Sequence, residues 1–394
     1  MKYDFETYID RHNTGSYKYE QMLDWNPDVG EDVIPYSVAD MELKNPPEII
    51  EGLKSYLDDA VLGYTIPTEA YYDAVIDWMQ RRHNWKIKKE WISLSAGVVT
   101  AFFAAVRAFT EPGDGVILMT PAYYPFYASI ERNGRKLVKN SLVDKGSRYE
   151  IDYQDLEAKA ADPDNKIILF CSPHNPVGRV WEKEELEKVA DICLRNDVLM
   201  VSDEIHNDLI MPDYEHTVMA KLSEDVKQNV IVCTAPSKSF NLAGMKTSNI
   251  IIPNKKIKAV YEKEVAAAGF HMLNIMGYKA CEIAYNQCED WLEELIELIE
   301  KNHLKLKEYM EENIPEIKVY DLEGTYLQWM DFSELGLDKD ELEELMHQQA
   351  EVFFDEGYIF GEEGAGYERM NLACPTHKLM EGLERIKTAV EKIK

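Results

Sequence analysis

The chain has 394 residues, 45% of them apolar, and a formal net charge of −29. That length exceeds one ordinary domain of ~100–200 residues, so two domains sharing a cleft are expected, with enough apolar residues for a large core. The charge excludes nucleic acid and anionic membranes as partners, since both would repel it, and no run reaches the ~18 apolar residues of a membrane span.

The opening stretch, Met1 to Tyr8, is polar and acidic and lacks the apolar segment of a signal peptide, so a cytoplasmic location is expected. The six cysteines, at 171, 193, 233, 281, 288 and 374, form no C-x-x-C pair, and several lie in apolar runs such as Ile231-Val232-Cys233. Buried thiols in a reducing compartment are expected, rather than disulfides or a metal site.

Residues 1–45 are expected to complete a small domain whose main part comes later in the chain. Residues 46–285 read as the large domain. Its short apolar runs are Gly115–Thr120, Lys166–Cys171, Val198–Ser202, Val230–Thr234 and Asn249–Pro253, apolar without alternation, as strands buried on both faces should be. Between two of them, Lys183–Asn196 carries Leu186, Val189, Ala190 and Cys193 on one helical stripe. Strand–helix alternation of this kind predicts an α/β domain with a largely parallel sheet and ligands at the carboxyl ends of its strands. Residues 286–394 read as a smaller α+β domain. A helix over Glu289–Asn313 is followed by strands at Ile317–Tyr320 and Tyr326–Asp331, a helix over Lys339–Glu356 and a last helix from Lys378. The acidic stretches Glu289–Glu300 and Asp338–Glu344 read as solvated helix faces.

Four motifs fall at predicted strand ends. Ser95-Ala96-Gly97-Val98-Val99-Thr100 opens an apolar helix, whose first free N–H groups make a phosphate cradle. Ser172-Pro173-His174-Asn175-Pro176-Val177-Gly178-Arg179 reads as a tight turn, and it also offers an asparagine amide. Ser202-Asp203-Glu204-Ile205-His206 ends a buried strand on a carboxylate, which either caps the next helix or faces the sheet-edge crevice. Ala235-Pro236-Ser237-Lys238-Ser239-Phe240-Asn241 follows another buried strand, and a lysine there must be paired, neutralised or covalently used. A lysine and an aspartate in one crevice suit pyridoxal phosphate, whose ring needs a carboxylate to keep its nitrogen protonated.

With these motifs in hand, the sequence resembles the pyridoxal-phosphate enzymes of fold type I in the class I/II aminotransferase superfamily. It is most similar to the MalY/PatB group of cystathionine β-lyases and related carbon–sulfur lyases. The resemblance runs from Val38-Ala39-Asp40-Met41 through Gly63-Tyr64, Thr120-Pro121-Ala122-Tyr123 and Gly324-Thr325-Tyr326-Leu327 to Arg369-Met370-Asn371-Leu372-Ala373-Cys374-Pro375. It implies that Lys238 holds the cofactor as a Schiff base and carries the substrate's α-proton. It further implies that Asp203 pairs with the pyridine nitrogen, Asn175 bonds the ring hydroxyl oxygen, and Tyr123 stacks on the ring. Gly97, Val98 and Ser237 would contact the phosphate, as would Tyr64 of a neighbouring subunit, which implies a homodimer with shared sites. Arg369, helped by the backbone near Ala39, would clamp the substrate carboxylate.

Several positions depart from the pattern. Ala235 stands where a phosphate-binding serine is common, and Lys246 is expected to contact the phosphate instead. His206 replaces a tyrosine near the ring oxygen, which favours the lyase group. Tyr36-Ser37-Val38 lacks a tryptophan before Val38, and Glu42-Leu43 replaces Asp-Phe near the substrate mouth. The expectation is a carbon–sulfur β-lyase giving thiol, pyruvate and ammonia. An aminotransferase is the alternative, and a regulatory protein-binding role is a reading of another class.

Overall fold

A computed structural model describes residues 2–393. Seven strands form the main sheet: β1 (Ile92–Ser95), β2 (Gly115–Thr120), β3 (Lys136–Ser141), β6 (Asn165–Cys171), β7 (Leu199–Asp203), β8 (Val230–Thr234) and β9 (Ser248–Ile251). A two-stranded hairpin, β4 (Val143–Asp144) and β5 (Tyr149–Glu150), stands apart from it. The order across the sheet is β1-β9-β8-β7-β6-β2-β3. From β3 to β8 all neighbours are parallel, while β9 runs antiparallel to both β8 and β1. Two reversals restore the direction of β1, so Ser95 ends on the same sheet edge as Cys171, Asp203 and Thr234.

Every residue of β2, β7 and β8 is buried, because helices cover both faces. Side chains alternate between the faces along each strand. Ile168, Phe170, Met200 and Val232 join the core that contains Leu186 and Val189 of the helix Lys183–Arg195. Ile167, Leu169, Val201 and Ile231 join the other, with Val98, Ala101, Phe102 and Ala105 of the helix Val98–Phe109. Each buried Val, Leu, Ile, Met or Phe among them contributes roughly 1.5–3 kcal/mol by leaving water. The apolar runs read from sequence are therefore the strands of a mostly parallel sheet. Two more strands escaped that reading. β1 has only four residues, and β3 is an edge strand, Lys-Leu-Val-Lys-Asn-Ser, mostly polar because one side meets solvent.

A second, four-stranded antiparallel sheet follows the long helix Glu289–Asn313, in the order β10 (Lys318–Val319), β11 (Leu327–Asp331), β13 (Tyr367–Asn371), β12 (Asp355–Glu356). The last helix spans Thr376–Ile393. Residues near the start of the chain join this region, with the Tyr36 N–H donating to the Phe353 carbonyl and the Asn371 N–H to the Tyr36 carbonyl.

One predicted element is corrected. The helix expected over Lys339–Glu356 stops after Ala350, its last residues forming a π-turn. Glu351 takes a left-handed φ of 50°, and Val352, Phe353 and Phe354 are all buried. Three consecutive buried apolar residues cannot lie on one helical stripe, so the chain extends and delivers Asp355 and Glu356 to the sheet. Glu368 lies opposite Glu356 across the β12–β13 pair. It is buried, and its Oε2 has no hydrogen-bond partner among the described residues. Burial first, then the nearby Glu356 carboxylate, holds its carboxyl well above the usual range. All six cysteines are buried free thiols, and no described helix is long and apolar enough to cross a membrane.

Candidate active site

The carboxyl edge of the main sheet gathers four of the predicted motifs. Asp203 is in register with Cys171 on one side and Cys233 on the other, so it sits between the ends of β6 and β8. β8 runs into a single helical turn, Pro236–Ser239, which carries Lys238. β1 leads through Gly97 into the helix Val98–Phe109. Gly97 has a φ of 109°, a backbone that side-chain-bearing residues rarely adopt, and an added Cβ would meet nothing within 4 Å. The conformation, not crowding, requires glycine, and the space over the first amides of the helix is open.

Lys238 is half-buried in the cluster, and its Nζ donates to the Ala39 carbonyl at 2.6 Å. Burial, reinforced by the positive charge of Arg369, lowers its pKa to about 8. Asp40, Asp203 and Asp355 oppose that shift without cancelling it. Asp203 is fully enclosed, and burial raises its carboxyl to about 7. Its Oδ1 accepts from the Ile205 N–H at 3.1 Å. A carboxylate so desolvated needs a cationic neighbour to stay ionised at neutral pH.

Arg369, on β13, faces this edge from the second sheet. Its Nη1 donates to Asn175 Oδ1 at 2.8 Å, its Nη2 pairs with Asp355, and its guanidinium lies 4.6 Å from the centre of the Phe360 ring. Its Nε is buried without a partner among the described residues. Tyr123 is half-buried at the start of the helix Tyr124–Glu131, within electrostatic reach of Arg369, Asp203 and Asp355. His206 is buried, its Nδ1 unpartnered among the described residues, and its ring meets Tyr326 edge-on at 5.9 Å. Burial, then the charges of Lys238 and Arg369, keeps it neutral.

Lys238, Asp203, Asn175, Tyr123, His206, Ala39 and Arg369 thus converge in one chain, beside the Gly97–Val98 turn. Ser237 is half-buried on the Lys238 turn. Lys246 is exposed on the following loop, in a left-handed conformation with φ of 47°. Tyr64 is 98% exposed among the exposed Val61, Leu62 and Ile66, so one chain does not bring it to the cluster. A cavity of about 1010 Å³ is lined by Arg11, Asp40, Glu42, Asn241 and Trp291, and not by Lys238, Asp203 or Arg369.

Sequence reading missed two groups. Tyr326, quoted only within a motif, donates its hydroxyl to the same Ala39 carbonyl at 2.8 Å. Asp355, assigned to a helix, partners Arg369. The signal for Asp355 was the Val352-Phe353-Phe354 run, which no amphipathic helix accommodates.

The chain is 43% identical over 359 residues to cystathionine beta-lyase PatB of Bacillus subtilis, covering 91% of this chain and 93% of that protein. It is 30% identical to protein MalY of Escherichia coli over the whole of both. Among solved structures it superposes with a TM-score of 0.99 on cystalysin from Treponema denticola, which contains a pyridoxal 5′-phosphate cofactor, at 53% identity and 100% coverage of both chains. With the pyridoxal-phosphate-bound C-S lyase from Staphylococcus hominis the TM-score is 0.92, at 30% identity, covering 99% of this chain and 98% of the other. The two-sheet architecture is that of the fold-type I enzymes. The family of class I and II aminotransferases matches residues 31–386, and the chain belongs to it.

Proposed function

We propose that this enzyme is a pyridoxal-phosphate-dependent carbon–sulfur β-lyase, converting a cysteine S-conjugate such as cystathionine and water into a thiol, pyruvate and ammonia. The observation that carries the reading is the half-buried Lys238 beside the buried Asp203 at adjacent strand ends, faced by Arg369 and Asn175. The lyase names of relatives at 30% identity and above favour elimination over transamination.

The residues present fit the cofactor. Asp203 is a carboxylate in want of a cation, which a protonated ring nitrogen provides. Lys238 is a half-buried amine to which an aldehyde can attach. The Gly97–Val98 amides and Ser237 would hold the phosphate, with Lys246 at its outer side, Tyr123 would lie against the ring, and Asn175 would bond its oxygen. When bound, the cofactor draws electrons from the substrate's α-carbon.

Arg369 then takes the substrate carboxylate on its free Nε edge, while Asn175 keeps the guanidinium turned toward the crevice. Lys238, with a pKa of about 8, is close enough to neutral pH for its Nζ to take the α-proton. Departure of the β-thiolate completes the elimination. Tyr64 of a second subunit would close the phosphate site, which accounts for its exposure in one chain. A homodimer is the assembly this reading requires, and a reducing, cytoplasmic location suits its buried free thiols.

The test is product analysis with the purified holoenzyme. Cystathionine or another cysteine S-conjugate should release pyruvate and thiol in equal amounts with no keto acid added. Turnover only in the presence of 2-oxoglutarate would overturn the lyase reading in favour of an aminotransferase.

A further inference from the structure

From the geometry around β12 we infer that Asp355 is the positioning residue of the carboxylate clamp, setting substrate affinity through Arg369; the inference rests on the lyase reading for its substrate. Three observations carry it. Asp355 and Arg369 are cross-strand partners in the β12–β13 pair, so the backbone itself fixes their separation. Asp355 is 6% exposed, and its Oδ2 takes both Arg369 Nη2 and the Val38 N–H, the latter at 2.8 Å. Val38, β-branched, has a φ of 56°, a strained backbone that persists only where its surroundings impose it. The Val38 carbonyl is held by Asn371 Nδ2 at 2.8 Å, and so is that of Asp40, at 2.6 Å.

One carboxylate oxygen therefore ties the substrate-facing guanidinium to the turn whose next residue, Ala39, receives Lys238. The guanidinium donates five N–H groups in a fixed fork. Asp355 and Asn175 each occupy an Nη donor and thereby leave the Nε edge for the incoming carboxylate. A guanidinium held on one side only would swing about its own stem and lose that edge-on presentation. Asp355 touches neither substrate nor reacting atoms. Its effect reaches them through Arg369.

The experiment compares Asp355→Asn with the wild-type holoenzyme in the pyruvate-release assay. A clamp made equally in ground and transition states changes KM and not kcat, so KM for the S-conjugate should rise about tenfold with kcat within about twofold. Cofactor content and the visible cofactor band should be unchanged. In an Arg369→Gln background, adding Asp355→Asn should change KM no further, because the two act through one contact. An unchanged KM in Asp355→Asn, a lowered one, or an equal rise in both backgrounds would overturn the proposal. Should Asp355→Asn fail to bind cofactor, Asp355→Glu keeps the charge; a two- to fivefold KM rise supports the clamp, and an unaltered KM overturns it. A wild-type enzyme that releases no pyruvate refutes the lyase reading. The clamp is then read from Asp355→Asn by titrating the cofactor band with an amino acid, where an unchanged affinity overturns it.

Discussion

Asp203 works against the stability of the protein without its cofactor. Its folded pKa of about 7 lies above the ordinary value of 3.8, so the folded state binds a proton that the unfolded state releases. Its favourable contribution is complete below pH 3.8 and is lost as pH rises from there to about 7. Asp203→Asn removes that loss, and the cofactor-free variant should be more stable than wild type by a few kcal/mol at pH 8 and nearly equal to it at pH 4. Thermal melts of the two cofactor-free proteins at both pH values measure this, and a gap that does not widen with pH contradicts it. The same substitution should cut lyase turnover severely, since an amide cannot hold a proton on the ring nitrogen. A site that costs stability when empty is a common consequence of placing ionisable groups for chemistry.

At the scale of elements, the turn Pro236–Ser239 is held from below. Asp208 is buried and accepts from Ser239 Oγ at 2.5 Å, lies 2.9 Å from His83 Nε2 and accepts from Trp78 Nε1 at 3.2 Å. This joins the helix Glu69–His83 to the residue after Lys238. Asp208→Asn leaves one of these donors facing another N–H, and it should lower unfolding free energy by roughly 2–4 kcal/mol, measured by urea denaturation. Ser239→Ala should cost less, about 1 kcal/mol, because only one hydrogen bond is lost. The elements legible in the sequence were those whose neighbours on both faces are apolar, such as Gly115–Thr120 and Val230–Thr234. Polar β3 and the Val352–Glu356 segment were not legible, since an edge strand and an extended run after a helix owe their form to partners distant in sequence. The site divides the same way. Lys238 and Asp203 could be read from the strands before them, whereas the pairing of Asp355 with Arg369 exists only once β12 and β13 meet.

For the whole molecule, the proposed sharing of sites between two chains makes a sharp prediction. Lys238→Ala and Tyr64→Ala homodimers should both be impaired, yet unfolding and refolding them together should restore activity. Each mixed dimer then holds one site with an intact Lys238 from one chain and an intact Tyr64 from the other. No recovery on mixing would mean that Tyr64 does not act across an interface. The buried Glu368, facing Glu356 across two strands, has a consequence for heat measurements. Together with Asp203 it makes the folded, cofactor-free chain hold more protons near neutral pH than its formal charge of −29 allows. Those protons pass to the buffer when the chain unfolds. The apparent calorimetric enthalpy of unfolding at pH 7 should therefore be smaller in Tris, which takes up protons exothermically, than in phosphate, and Glu368→Gln should narrow the difference.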